Sequence, residues 1–430
     1  MNKLSNTFIL LIYGLILVGL ATLKGPLLAF AIPFVVYLTV GLFFEPEPVH
    51  LQAKRTLSTD RVNQDTPVTV HLKIKNEGSS IENLLIEDIV PAGLQIIEGN
   101  PKLMTSMKPG ETVTLSYTLC GARGYYHLPG LRTTASDHLG LIRKYKDLAL
   151  SSRFVVLPEA YKLPEVGIRP RRTRVFPGLI PARKGGPGVE FFGVREYHSG
   201  DPMRWINERA SARHEHTLFV NEFEQERATD IGLILDCRIE TNLFRGNTEL
   251  LEHGTQAAAT LAESFLNYGN QVGLLIYGGM RNWVHPGYGK IQRERILRAL
   301  ATVRLYDSYV SQELVNMPTR LFPARSQLVL ISSLLFQDLP TLIALRAHGY
   351  PLLVISPDPI HFESKLLGSS QTVAQAVRIV RLERDFLLRL LRRTGARVFD
   401  WQVDQPFHQA AHYALTHGAA WRTSQGVVHA

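Results

Sequence analysis

Two cysteines, Cys120 and Cys237, are all that this chain of 430 residues contains. That excludes a disulfide scaffold and a multi-cysteine zinc or iron–sulfur site. Each thiol sits beside an apolar run and is read as packing rather than chemistry. Charge is scarce at the start of the chain: from Met1 to Phe44 only Lys3 and Lys24 are charged. Over the whole sequence 20% of residues are charged and 45% hydrophobic, which rules out disordered and fibrous classes. Nucleotide-binding patterns are missing too. A phosphate cradle needs GxxxxGK[ST] or GxGxxG between a strand and a helix. Phe176–Gly188, rich in glycine and proline, has neither and reads as a flexible loop. Ser211 lies in Ala210-Ser211-Ala212 rather than a G-x-S-x-G elbow. His408 and His412 are spaced as in H-E-x-x-H, but Gln409 holds the general-base position. These two and His417 read as surface histidines.

What the chain does have begins with length. At ~150 residues per domain, it predicts two or three domains. Thr7–Leu23 and Leu27–Phe44 are apolar runs separated by Lys24-Gly25-Pro26, each near the short end of the roughly 17–25 residues that span a bilayer. They predict a transmembrane helical hairpin over residues 1–50, with the lipid bilayer as a partner. Lys3 and Lys54-Arg55 flank its outer ends against Lys24 alone in the turn. The positive-inside bias then puts the soluble domains on the cytoplasmic side of an inner or plasma membrane.

Val68, Val70, Leu72 and Ile74 alternate with polar residues, as do Val113, Leu115, Tyr117 and Leu119. This period of two marks half-buried strands, and the Gly/Pro turns between them predict a β-sandwich-like domain over 51–158. Residues 159–228 read as a linker segment. Over 229–430, apolar runs such as Ile231–Asp236, Gln271–Tyr277, Gln327–Ser332 and Pro351–Ser356 alternate with helical stretches, predicting an α/β parallel-sheet domain. Ligands in such sheets bind beyond the carboxyl ends of the strands. That singles out Asp236, Tyr277-Gly278-Gly279, Ser332-Ser333 and Ser356-Pro357-Asp358.

A resemblance emerges from the residues between these parts. Arg123-Gly124-Tyr125-Tyr126, Leu128-Pro129-Gly130-Leu131 and Asp137-His138-Leu139-Gly140-Leu141 precede a run of Glu190-Phe191, Val194-Arg195-Glu196-Tyr197, Gly200-Asp201, Arg204, Ile206, Ser211-Ala212-Arg213 and Glu222-Phe223-Glu224. In that order they resemble the signature of a bacterial and archaeal family catalogued as domain of unknown function 58. One departure stands out: Glu208 replaces the family's tryptophan. The resemblance implies a C-terminal domain similar to von Willebrand factor type A, and association with a MoxR-type AAA+ ATPase and other membrane proteins. It brings no catalytic activity. It marks Arg195, Tyr197, Asp201, Arg204, Ser211 and Arg213 as a binding or bracing cluster, whose arginines suit a network with carboxylates.

Type A domains often hold Mg²⁺ through Asp-x-Ser-x-Ser, and Mg²⁺ requires oxygen ligands. Here the matching residues are Asp236, Arg238 and Glu240, with Ser333 (after Ser332) where a later acid is common. Arg238 puts a cation where a hydroxyl belongs and is expected to pair with Asp236 or Glu240. No metal and no other cofactor is expected.

The formal charge is +9, with a pI near 9.5. It concentrates in Glu165–Val220 and in Arg378–Arg397, where Arg378, Arg381 and Arg384 recur every three residues and read as a solvated face. With few aromatics among these arginines, nucleic acid is not the expected partner. The function expected is that of a membrane-anchored, non-enzymatic interaction or scaffold protein. It would work with a MoxR-type AAA+ ATPase in a cell-envelope or complex-assembly role. The alternative is an enzyme acting on an envelope substrate through Arg195, Asp201 and Arg213.

Overall fold

A computed structural model of the chain describes residues 3–23, 25–43, 49–136, 143–163, 174–214, 216–245, 248–278, 282–305, 314–317, 321–323, 326–364 and 370–416. It divides into two compact units, Met1–Leu157 and Pro158–Ala430.

The first unit opens with two helices packed on each other, α1 (Lys3–Thr22) and α2 (Gly25–Phe43). They correct the membrane expectation. Among the described residues, no helix is long and apolar enough to cross a membrane. The reason is continuity: a span needs roughly 17 or more consecutive apolar residues in one helix. The sequence of α1 begins with Lys3, Ser5 and Asn6, while α2 has 19 residues interrupted by Pro33. The transmembrane hairpin, and with it the two-span membrane localisation, is therefore not supported.

Nine strands follow: β1 (Leu51–Leu57), β2 (Arg61–Asn63), β3 (Val68–Asn76), β4 (Ile81–Asp88), β5 (Leu94–Gly99), β6 (Lys102–Met107), β7 (Thr112–Gly121), β8 (Gly124–Ser136) and β9 (Arg143–Leu157). They form a four-stranded sheet in the order β1-β3-β7-β5 and a five-stranded sheet in the order β2-β9-β8-β4-β6. Alternation builds the core. Val70, Leu72, Ile74 and Leu119 of one sheet share a buried cluster with Leu84, Ile86, Leu128, Leu131 and Phe154 of the other. Each such side chain contributes ~1.5–3 kcal/mol on burial. One buried polar group ties the two sheets together. Asp88 accepts from the Arg55 guanidinium and from the Tyr117 hydroxyl at 2.5 Å. Arg55 also donates to the carbonyls of Leu128, at 3.0 Å, and Leu150, at 2.5 Å.

In the second unit β10 (Arg174–Glu196) leads through a short helix, α3 (Glu208–Ser211), to its antiparallel partner β11 (Phe219–Ala228). This overturns the loop reading of Phe176–Gly188, which lies within β10. Proline cannot donate to a ladder, so such a stretch pairs irregularly. Accordingly the register slips four times between Val175 and Gly193.

The rest alternates strand and helix: β12 (Asp230–Asp236), the two-residue strands β13 (Phe244–Arg245) and β14 (Thr248–Glu249), α4 (Leu250–Asn267), β15 (Gln271–Tyr277), β16 (Asn282–Gly287), α5 (Gly289–Ala301), β17 (Gln327–Ile331), α6 (Leu339–Ala347), β18 (Leu352–Pro357), α7 (Pro359–Ser364), α8 (Gln371–Arg393), β19 (Arg397–Trp401) and α9 (Phe407–Thr416). Six of the strands form one sheet in the order β16-β15-β12-β17-β18-β19, parallel except for β16 at its edge. Both faces are covered. Ile234 and Leu330 share a buried cluster with Leu342 and Leu345 of α6 and Leu387, Leu388 and Leu391 of α8. The alternate residues Leu235 and Ile331 lie against Gly254 of α4, on the opposite face. The chain passes from β12 to β15 on one side and returns to β17 on the other, so strand order reverses at β12/β17.

Candidate functional site

Two polar clusters stand out in the second unit. The first lies at the reversal point, where open α/β sheets form their ligand crevice. β12 ends in Asp236, and the chain turns at once through Cys237 and Arg238. Arg238 is only 1% exposed. Its Nε donates to Asp236 Oδ1 at 2.9 Å and its Nη2 to Asp236 Oδ2 at 2.7 Å. Nη1 and Nη2 donate to Asp338 Oδ1 and Oδ2, both at 2.8 Å. The Ser332 hydroxyl donates to Asp236 Oδ2 at 2.6 Å, and that of Ser333 to the Thr241 carbonyl at 2.5 Å. Burial favours the neutral form of Arg238, but its hydrogen bonds to Asp338 and Asp236 prevail and raise its pKa above the usual arginine value. A cavity of about 10 Å³ remains beside the cluster, between Asp236, Thr241, Ser332 and Pro357. That is room for about one water.

The turn holding Arg238 needs Gly278 after β15. Its φ is +116°, and a Cβ there would fall 2.3 Å from the Arg238 nitrogen. Leu334, with φ +66°, is held on the other side by its N–H donating to the Ser332 hydroxyl. Glu240 is exposed and takes no part. The acid that completes the cluster is Asp338, which the sequence reading passed over. Its signal was an acid immediately before Leu339-Pro340, a helix start.

At the neighbouring strand ends stands Arg384 of α8. It donates to the Ser333 carbonyl at 2.9 Å, the Ser356 hydroxyl at 3.1 Å and Asp400 Oδ1 at 2.6 Å, with Asp358 at 3.7 Å. The solvated face expected for Arg378, Arg381 and Arg384 is thus interrupted, because Arg384 is buried. Of the other singled-out positions, Cys237 is buried, His408 is half-buried with its ring stacked on Tyr161 at 4.4 Å, and His412 is exposed. His417, Gly279 and Asp137–Leu141 lie outside the described residues.

The second cluster is the signature. At the end of β10, Arg195 forms a two-pronged pair with Asp201: Nη1 to Oδ2 at 2.7 Å and Nη2 to Oδ1 at 2.6 Å. The turn between them passes through Gly200 at φ +108° and is closed by the His198 N–H donating to Asp201 Oδ2 at 2.8 Å. The Arg195 hydrogen bonds and the His198 N–H lower the Asp201 carboxyl to about 2. Glu222 of β11 lies 3.7 Å from Arg195 Nε. Tyr197 donates its N–H to the Leu218 carbonyl at 2.8 Å. Asn207 caps α3 by accepting from the Ala210 N–H at 2.9 Å, and Ser211 Oγ accepts from the Phe219 N–H at 2.8 Å. The fold therefore joins Arg195 to Asp201 and ties Tyr197 and Ser211 to the start of β11. Arg204 and Arg213 lie outside that network. With Arg209 they are exposed and have no ion-pair partner among the described residues.

Comparison with known proteins adds a family and little more. Residues 193–357 match the family described as "Protein of unknown function DUF58", so the resemblance holds over that segment; Arg123–Leu131 and Glu190-Phe191 lie outside it. No curated protein matches. Among solved structures, a FixG-related protein from Vibrio parahaemolyticus is 15% identical, aligned over 26% of this chain and 98% of its own, with a TM-score of 0.17. The cupredoxin domain of amoB from Nitrosocaldus yellowstonii is 11% identical, over 30% and 99%, with a TM-score of 0.19. At such scores these likenesses bear on neither fold nor activity.

Proposed function

We propose that this chain, whose residues 193–357 carry the family segment, is a non-enzymatic interaction protein. Its second unit, read as von Willebrand factor A-like, serves as a binding platform, with a MoxR-type AAA+ ATPase as partner in complex assembly. The observation that carries the reading is the signature's division of labour. Arg195, Asp201, Asn207 and Ser211 are engaged in bracing the segment, while Arg204, Arg209 and Arg213 project from it exposed. A braced loop with free arginines suits recognition of carboxylates on another protein. The sheet end supports the same reading, since Asp236 and Asp338 are engaged by Arg238 and Asp400 by Arg384.

The test is a pull-down of the purified ATPase on immobilised full-length chain. Wild type retains it, and the triple variant Arg204→Glu/Arg209→Glu/Arg213→Glu loses at least about nine-tenths of the signal. Equal retention by both proteins refutes the platform.

A further inference from the structure

Helix α8 is longer than the surface it covers. Its 23 residues run ~34 Å at 1.5 Å per residue, yet its buried side chains are only Arg384, Leu387, Leu388 and Leu391. Upstream, no residue from Gln371 to Glu383 is buried, although the sequence stays apolar there. Ile379, Leu382 and Phe386 follow i, i+3 and i+7 spacing, which places them on one helical face. They are 58%, 56% and 50% exposed. Phe336, 59% exposed, stacks its ring on Phe386 with centroids 6.4 Å apart and planes at 10°. A contiguous exposed patch of this kind marks an interaction surface.

The charges around the patch restrict what covers it. Arg378 precedes Leu382 by one helical turn, and Arg389 and Arg393 follow Phe386 by one and two turns, so all three border the same face. All three are exposed. Arg378 and Arg393 have no ion-pair partner among the described residues, and Arg389 donates to the Asp385 carbonyl. The helix carries six arginines against Glu383 and Asp385. A second copy of it would set arginine against arginine, which like-charge repulsion opposes.

We propose that this face of α8 docks an acidic amphipathic helix of a partner protein. The partner's apolar side chains seat on Ile379, Leu382, Phe386 and Phe336, and its carboxylates face Arg378, Arg389 and Arg393. The surface is separate from the signature residues on which the proposed function rests, so variants of each tell the two apart.

The probe is a fluorescent helical peptide of about three heptads, with leucine at a and d and glutamate at e and g. A control peptide has lysine in place of glutamate. The full-length chain should bind the glutamate peptide saturably, with affinity falling as salt rises, and should not bind the lysine peptide. Leu382→Ser/Phe386→Ser and Arg378→Glu/Arg389→Glu/Arg393→Glu each weaken binding at least tenfold with an unchanged circular dichroism spectrum. Arg204→Glu/Arg209→Glu/Arg213→Glu leaves it unchanged. The proposal is overturned by absence of saturable binding, by equal binding of both peptides, or by unaltered affinity in the α8 variants. It is also overturned if wild type sediments as a dimer that Leu382→Ser/Phe386→Ser dissociates, since the occupant is then a second copy.

Discussion

Arg238 and Asp338, 100 residues apart in the chain, meet through two hydrogen bonds of 2.8 Å in a fully buried fork. Asp236 binds the other side of the same guanidinium. The end of β12 and the start of α6 are thereby joined through a cation that belongs to the chain.

Removing that cation leaves two buried carboxylates facing each other. Arg238→Met should lower stability by ~3–5 kcal/mol, the usual effect of breaking a buried pair from one side. Adding Asp236→Asn and Asp338→Asn should recover most of the loss. Urea unfolding of the three proteins reads this directly, and a loss below ~1 kcal/mol in the single variant contradicts the assignment.

Gly278→Ala tests the turn beneath the cluster. The new Cβ would meet the Arg238 nitrogen at 2.3 Å and the Cys237 carbonyl carbon at 2.6 Å, at φ +116°. Both obstacles are backbone, so neither yields cheaply. A loss of ~2 kcal/mol or more is expected, with strain and displacement combined. Amide exchange at Arg238 should quicken. Exchange at wild-type rates would mean that the close approach is not needed.

In the first unit, Tyr117→Phe deletes the hydroxyl that donates to Asp88. The expected loss is ~1–3 kcal/mol. Burial, and then the hydrogen bond to Asp88, raise the Tyr117 phenol above its ordinary value of 10.0. A raised phenol stabilises the folded state fully below the unfolded pKa. Stability should therefore decline as pH climbs past about 10, and less so in Tyr117→Phe, as thermal melts against pH will show.

Asp201 has the opposite sign. Its folded pKa of about 2 lies below the ordinary aspartate value of 3.8. Its stabilising effect is present above the unfolded value and disappears as pH falls through about 2. A carbon-detected NMR titration should place the Asp201 midpoint near 2 in wild type and close to the ordinary carboxylate value in Arg195→Met. A midpoint unmoved by that change would disprove the fork as its cause.

Much of the β and α/β pattern was legible because it rests on local periodicity. β3 shows the alternation of Val68 to Ile74, and β15 spans the apolar run Gln271–Tyr277. The signature segment was legible through its residue order. What escaped depends on distance in the chain. Nothing near Arg238 indicates Asp338, and nothing near Arg384 indicates Ser333 or Asp400; tertiary folding alone joins them. Hydropathy counting also failed at α1 and α2, where Lys3, Ser5 and Asn6 or Pro33 shorten the unbroken apolar helix. Composition failed at Phe176–Gly188, where antiparallel pairing with β11 outweighs the turn preference of glycine and proline.

A positive charge supplied by a side chain differs in one respect from any supplied by solution: it has no dissociation constant. Tethered by covalent bonds between Cys237 and Ile239, the guanidinium of Arg238 cannot be chelated, exchanged for a competitor or lost on dilution. The joint between β12 and the start of α6 is therefore as permanent as the fold, and far less sensitive to the surrounding salt than an exposed pair would be.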